Sequence, residues 1–292
     1  KEVTLVAASE SRGFHELPLV LFAAMITAGG GVGSAQLVCG LVGWTGWVPT
    51  REVTFIVVTL LGMGLLSSLG HLGRPIRGHR ALHRVGRSPL SNEIAVVGAA
   101  TLAALSAILL PAEGPWGAGS GVAYVLLAPA TLLAVGFVYR LPGQVTWAGL
   151  APFHPLVLGL GFGLMVLLGW LPEGVQARGE FLILSVLILD GVFVWDRAKR
   201  TWEASGEGIP VHTRLMAQRT SALTLRVLLG ILLPAVALLS GWRELATLSL
   251  FVNLFLDRFL FYGLAVRVNT EAAVMKAELA LKTALSSSRH SR

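Results

Sequence analysis

The sequence predicts an all-α, polytopic membrane protein, a bundle of eight transmembrane helices. Three observations predict it. Of the 292 residues, 54% are hydrophobic and only 13% are charged; a soluble domain carries about twice that charged fraction. Long apolar runs alternate with short polar stretches, and ~20 apolar residues in helical form cross the hydrocarbon core of a bilayer. Finally, the basic residues fall almost entirely on one side of the topology that those runs imply.

The runs are Leu17–Gly43, Val53–Gly70, Ile94–Leu110, Gly121–Tyr139, Pro152–Leu171, Phe181–Trp195, Ala222–Trp242 and Leu245–Val266. Each is close to spanning length, and the sixth is the shortest. Only Arg243 and Glu244 separate the last two, so these form a tight hairpin. The pairs Gly29/Gly33 and Gly159/Gly163 have the small-xxx-small spacing that lets helices approach closely. Residues 1–270 read as one membrane domain. Residues 271–292 read as a surface helix that frays into a disordered tail, Ser286-Ser-Ser-Arg-His-Ser-Arg292. The first run is too long for a signal peptide and no small-residue cleavage site follows it.

Eight spans put both termini on one side, the near side. That side holds 18 of the lysines and arginines, against Arg51, Arg178 and Arg243 on the far side; Arg226 and Arg258 lie within spans. Loops rich in Lys and Arg stay in the cytoplasm. The expectation is therefore a multi-pass protein of a bacterial or archaeal cytoplasmic membrane, with both termini and the loop between the second and third helices cytoplasmic. The net charge of +7 is then a topological signal rather than a nucleic-acid surface. The single cysteine, Cys39, excludes an internal disulfide and any cluster ligated by this protein's cysteines alone.

Ionisable groups at membrane depth are costly and mark functional sites by default. Asp190, Arg226, Asp257 and Arg258 all lie within spans on the near-side half, and Glu16, His71, Glu93, Arg140 and His154 stand at near-side helix ends. One polar pocket opening to the near side accounts for this asymmetry. Asp257 and Arg258 read as a structural pair, Asp190 as a partner for Arg226, and His154, next to Pro155, as structural. Trp44, Trp47, Trp116, Trp147, Trp170, Trp195 and Trp242 lie near span ends, as an aromatic belt does.

The segment from His71 to Glu93 is the richest in chemistry. Taken alone it is a solvated basic loop. Its two ends, however, put a histidine and a carboxylate where helices meet the membrane interface, so the loop can bring them together. Oxidising a quinol releases two protons with two electrons; a histidine exchanges protons near neutral pH and an interfacial carboxylate relays them. Ser91 or Asn92 has the residue type of a cap for the third helix.

Four stretches carry a family resemblance. They are His15-Glu-Leu-Pro-Leu-Val-Leu-Phe22 with Gly29-Gly-Gly-Val-Gly33; His71-Leu-Gly-Arg-Pro75 with Arg84-Val-Gly86 and Ser91-Asn-Glu-Ile94; Tyr139-Arg140 with Val145-Thr-Trp147; and Asp257-Arg-Phe-Leu-Phe-Tyr-Gly263. With these the protein resembles the membrane anchor subunits of the dimethyl sulfoxide reductase family, and also the anchors of cytoplasm-facing sulfite-oxidising molybdoenzymes. The resemblance implies a substrate quinone, menaquinone or ubiquinone, and no haem. It implies iron–sulfur clusters and molybdopterin only in the partner subunits, an iron–sulfur electron-transfer subunit and a molybdopterin catalytic subunit. It assigns His71 and Glu93 to the quinone chemistry. Glu16, Arg77, Arg258 and Tyr262 are further candidates for quinone binding, and Arg77 is equally a candidate for contact with the partner subunit. Arg74, His79, His83 and Arg87 depart from the family pattern by making the loop more basic.

Two other functions compete. A secondary transporter predicts paired broken helices and substrate groups at the membrane midplane. A haem b electron-transfer anchor predicts axial histidines facing each other on two helices. A haem absorption band, bound quinone, or neither, in the purified protein separates the three.

Overall fold

A computed structural model describes residues 17–71, 83–111, 114–138, 149–206 and 220–263. Among them are eight helices. They are α1 (Leu17–Leu41), α2 (Arg51–His71), α3 (Pro89–Leu109), α4 (Pro115–Phe137), α5 (His154–Leu168, led in by a 3₁₀ turn at Ala151–Phe153), α6 (Glu173–Gly206), α7 (Thr220–Leu239) and α8 (Arg243–Gly263). The described residues contain no strand. Glu16, Arg77, Arg140 and the segment 271–292 lie outside the described residues, and so does the side chain of His71.

Seven of the helices are long and apolar enough to cross a membrane; α6, whose apolar run is interrupted by Asp190, is not among the seven. At about 1.5 Å per residue, the 34 residues of α6 extend over ~51 Å, more than the ~30 Å hydrocarbon core needs. The sixth apolar run is thus only the middle of a longer helix. Its last turns carry Asp196, Lys199, Arg200 and Glu203, bridged at i,i+4 as Arg200–Asp196 (3.0 Å) and Lys199–Glu203 (3.7 Å). The expected loop between the sixth and seventh spans therefore begins later than the apolar pattern indicates.

The third helix also departs from expectation. It begins at Pro89, a residue whose fixed φ suits the first helical position. Ser91 and Asn92 lie inside the first turn rather than capping it. Asn92 accepts the Gly86 N–H at 2.6 Å instead, tying the preceding turn to the helix.

The helices pack as two rings of four. In the first, α1 meets α2, α2 meets α3, α3 meets α4, and α4 closes on α1; in the second, α5 through α8 repeat the pattern. The rings join where α1 packs on α5 and α8, and where α4 packs on α5. Helix α1 is the hub. It has no charged residue and is buried almost all round, as a central helix must be.

Glycine sets the join. A methyl group at Gly31 would stand 2.1 Å from the Gly159 carbonyl oxygen, and one at Gly163 would stand 2.1 Å from that of Gly31. Helices α1 and α5 cross backbone to backbone there. Gly29 and Gly33 face other neighbours, Leu61 of α2 and the Tyr124 ring of α4. The Tyr124 hydroxyl donates to the Gly29 carbonyl at 2.5 Å, a hydrogen bond between α4 and α1.

Candidate functional site

Two polar features occupy the near-side end of the bundle, one in each ring. The first is Glu93. Because α3 starts at Pro89 and not at Ile94, Glu93 is one turn inside the helix and only 2% exposed. Its Oε1 has no hydrogen-bond partner among the described residues. His71 is the last residue of α2, the helix that packs beside α3. His71 closes α2 and Glu93 stands near the start of α3, so both positions lie toward the same end of the bundle.

The second feature is a buried ion network in the other ring. His154 opens α5; Asp190 and Arg197 stand on α6; Arg226 is on α7; Asp257 and Arg258 are on α8. All six are 7% exposed or less. Arg226 Nη2 donates to Asp190 Oδ1 at 2.8 Å, and Arg226 Nε donates to Asp257 Oδ1 at 3.2 Å. Arg197 Nη1 donates to the same Asp257 oxygen at 3.0 Å, and Arg258 Nη2 reaches Asp257 Oδ2 at 2.6 Å.

His154 sits between the two carboxylates. Its Nε2 is 2.6 Å from Asp190 Oδ1, and Arg197 Nη2 is 2.9 Å from its Nδ1. A guanidinium can only donate, so Nδ1 accepts from Arg197, while Nε2 faces both Asp190 Oδ1 and the Arg226 Nη2 group, the latter at 3.0 Å. The imidazole stacks on Phe193, with ring centroids 5.3 Å apart. The Arg258 and Arg197 guanidiniums lie 5.1 and 5.6 Å from the Phe261 centroid, within cation–π range.

The convergence has a simple origin. Asp190 and Arg197 are seven residues apart, two helical turns, and so share a face of α6. Helices α5 and α7 begin and α8 ends within about two turns of the network, while α6 passes through that level and continues to Gly206. Here burial of charge is offset by dense pairing, the condition for ions in low dielectric.

The pairing of Asp190 with Arg226 and of Asp257 with Arg258 matches the sequence expectation. His154 and Arg197 are the residues that sequence reasoning undervalues. The sequence marks His154 as structural, but it lies between both carboxylates; Arg197 follows the sixth apolar run, where a solvated loop is expected, but it folds into the bundle. The i,i+7 spacing to Asp190 is the signal that points to Arg197. Of the candidate quinone contacts, Arg258 is 1% exposed and Tyr262 7% exposed, both on α8 in the second ring. Glu93 is on α3 in the first. Glu16 and Arg77 fall outside the described residues.

Residues 11–141, which include α1 to α4, match the family described as "DMSO reductase anchor subunit (DmsC)". The protein is 40% identical over 88 residues to the C subunit of the anaerobic dimethyl sulfoxide reductase of Haemophilus influenzae. It is 37% identical over 92 residues to the YnfH subunit of an anaerobic dimethyl sulfoxide reductase of Escherichia coli. Each of these alignments covers 28% of this protein and 30% of the relative. A third relative, the C subunit of the Escherichia coli anaerobic dimethyl sulfoxide reductase, is 27% identical over 287 residues, which cover 89% of this protein and 99% of the relative. With its apolar helices and these matches, the protein is a multi-pass membrane protein that is similar to anchor subunits of the dimethyl sulfoxide reductase family.

Proposed function

We propose that this protein is the quinone-reactive membrane anchor of a molybdopterin/iron–sulfur oxidoreductase. It exchanges electrons between the quinone pool and an iron–sulfur partner subunit, which passes them to or from a molybdopterin subunit. In this reading all eight helices span the bilayer, α6 being the eighth span within the second ring.

The observation that supports it most directly is Glu93, a buried carboxyl one turn from the near-side surface with an oxygen free of any described partner. Such a group costs stability, and at membrane depth it marks a functional site by default. Quinol oxidation supplies a function: the quinol loses two protons and two electrons and becomes the quinone. In this reading Glu93 Oε1 receives one hydroxyl proton, and His71, at the end of the adjacent helix, the other. The electrons leave one at a time to the nearest iron–sulfur cluster of the partner, and the reverse sequence reduces a quinone. Glu16, Arg77, Arg258 and Tyr262 are assigned to holding the quinone. For Arg258 that contact must come from a part of the guanidinium other than Nη2, which is bound to Asp257.

The test uses the intact complex. Glu93→Gln and His71→Ala are expected to lower quinol-linked turnover sharply, while turnover with an artificial electron donor that reduces the catalytic subunit directly is retained. Normal quinol activity in both variants would refute the assignment.

A further inference from the structure

We infer that the seam between α7 and α8 is a binding site for internal water, held by Asn253. This site is separate from Glu93 and does not depend on the quinone reading.

Asn253 is fully buried, at 0% exposure, and neither Oδ1 nor Nδ2 has a hydrogen-bond partner among the described residues. A carboxamide offers two donors and two acceptor lone pairs, and natural proteins leave such a group dry only rarely. The surroundings of Asn253 are polar on every level of the seam. On α8, Asp257, Asn253 and Ser249 follow one another at intervals of four residues and face the same way. All three are buried.

Opposite them α7 is deformed. Leu228–Leu232 form a π turn, with the Leu233 N–H bonded to the Leu228 carbonyl. Pro234 has no N–H to give the carbonyl four residues back, that of Gly230. The Ser249 hydroxyl has turned to the Leu229 carbonyl within the same deformed stretch. Gly230 lies against Asn253 so closely that a methyl group would stand 2.2 Å from Oδ1. The glycine thus leaves room for the carboxamide and exposes backbone to it. Such π turns often mark functional positions.

The seam leads to the ion network. Arg226 is one helical turn before Gly230 on α7, as Asp257 is one turn beyond Asn253 on α8. On that level two more buried atoms have no partner among the described residues, Arg226 Nη1 and Asp190 Oδ2. One is a donor and the other an acceptor, and both belong to the pair already joined through Arg226 Nη2 and Asp190 Oδ1. Buried water typically makes about three hydrogen bonds to groups of this kind. Water held by Asn253 and by the open arms of Arg226 and Asp190 satisfies every one of these atoms. An apolar occupant, such as a lipid tail, satisfies none.

X-ray radiolytic footprinting with mass spectrometry tests this on the full-length protein in lipid nanodiscs. Hydroxyl radicals form from bound water inside a protein and mark the side chains beside it. Leu250 and Leu254 flank Asn253 and are buried to 3% and 1% exposure. They are expected to be modified several-fold faster than Leu61 and Leu132, which are equally buried in the first ring. Asn253→Leu is expected to abolish that difference; Asn253→Ser, which keeps a donor and an acceptor, is expected to preserve it. Failure of Leu250 and Leu254 to exceed the controls in the unaltered protein overturns the proposal, whether or not Asn253→Leu folds. Undiminished labelling in Asn253→Leu overturns it as well, because the water would then not be held by Asn253.

Discussion

Asp257→Asn tests whether the ion network is what holds the second ring together. Asp257 receives three guanidiniums, Arg197 and Arg226 on Oδ1 and Arg258 on Oδ2, with no solvent exposure. The amide has nearly the same shape, but it removes the charge and turns an NH₂ group toward one of those cations. Three arginines then share Asp190 alone among the described carboxylates of the network. Breaking a buried pair costs about 3–5 kcal/mol, because the remaining charge is left in low dielectric. At ~1.4 kcal/mol per tenfold change, that is roughly a hundred- to several-thousand-fold loss in the folding equilibrium. Asp196→Asn is the control. Asp196 pairs with Arg200 on the same helix at the same 3.0 Å, but both are partly exposed. An i,i+4 surface pair is worth only ~0.3–0.5 kcal/mol. The two purified variants are compared by thermal unfolding in detergent, followed through tryptophan fluorescence. Asp257→Asn should unfold far below the unaltered protein and Asp196→Asn beside it. Equal unfolding temperatures for the two variants would refute the reasoning, since burial would then contribute nothing.

Three further outcomes follow. Gly31→Val and Gly163→Val drive side-chain atoms into the backbone of the facing helix and should destabilise by at least the ~1–3 kcal/mol of ordinary overpacking. Gly98→Ala, with nothing within 4 Å of the added methyl, should not destabilise in the same unfolding assay and should if anything raise the unfolding temperature, because Ala suits a helix interior better than Gly. Tyr124→Phe removes the hydroxyl that bonds the Gly29 carbonyl and should cost about 1 kcal/mol, measurable as a small fall in the same unfolding temperature. A reporter active only outside the cytoplasm, fused after Arg292, should stay silent if the arginine-rich near side is cytoplasmic; strong activity would reverse the orientation.

The helices were legible in the sequence because a bilayer demands uninterrupted apolar length, and seven of the eight meet that demand without help. Their ends were less legible. An apolar run stops where the membrane stops, whereas a helix stops where its backbone bonding fails. Hence α6 continues through Arg197-Ala-Lys-Arg200, good helix formers in water. Likewise α3 begins five residues before its apolar run, at Pro89. That second difference matters for the site, since it moves Glu93 from the helix entrance to a buried position in the second turn. The pairs Asp190–Arg226 and Asp257–Arg258 were readable as isolated charges needing partners. The position of His154 between both carboxylates was not, because it depends on three helix ends packing at one level against the middle of α6. Asn253, a single amide in an apolar helix, carried a polar signal in the sequence, but its lack of a partner is a property of the packing alone.

The two rings divide the polar chemistry by how it is paired. In the ion network charges are compensated several times over, with Asp257 alone meeting three arginines. A group held in that way resists a change of charge, because any change unbalances its neighbours. Glu93 has the opposite character, since its open oxygen can gain or lose a proton without breaking a described bond. On the proposed function, proton exchange with the quinone belongs to Glu93 in the first ring, while the paired charges of the second ring serve rigidity and leave Arg258 and Tyr262 only a binding role. The glycine crossing of α1 on α5 is what couples them. A network variant and a Glu93 variant would both lower quinol-linked turnover, but for different reasons. A loosened second ring also weakens the assembled complex, so activity with an artificial donor falls with it. On the proposed function, a neutral Glu93 side chain is expected to stop the quinone step and to leave that activity standing. Measuring both activities on both kinds of variant thus separates the ring that carries out the exchange from the ring that supports it.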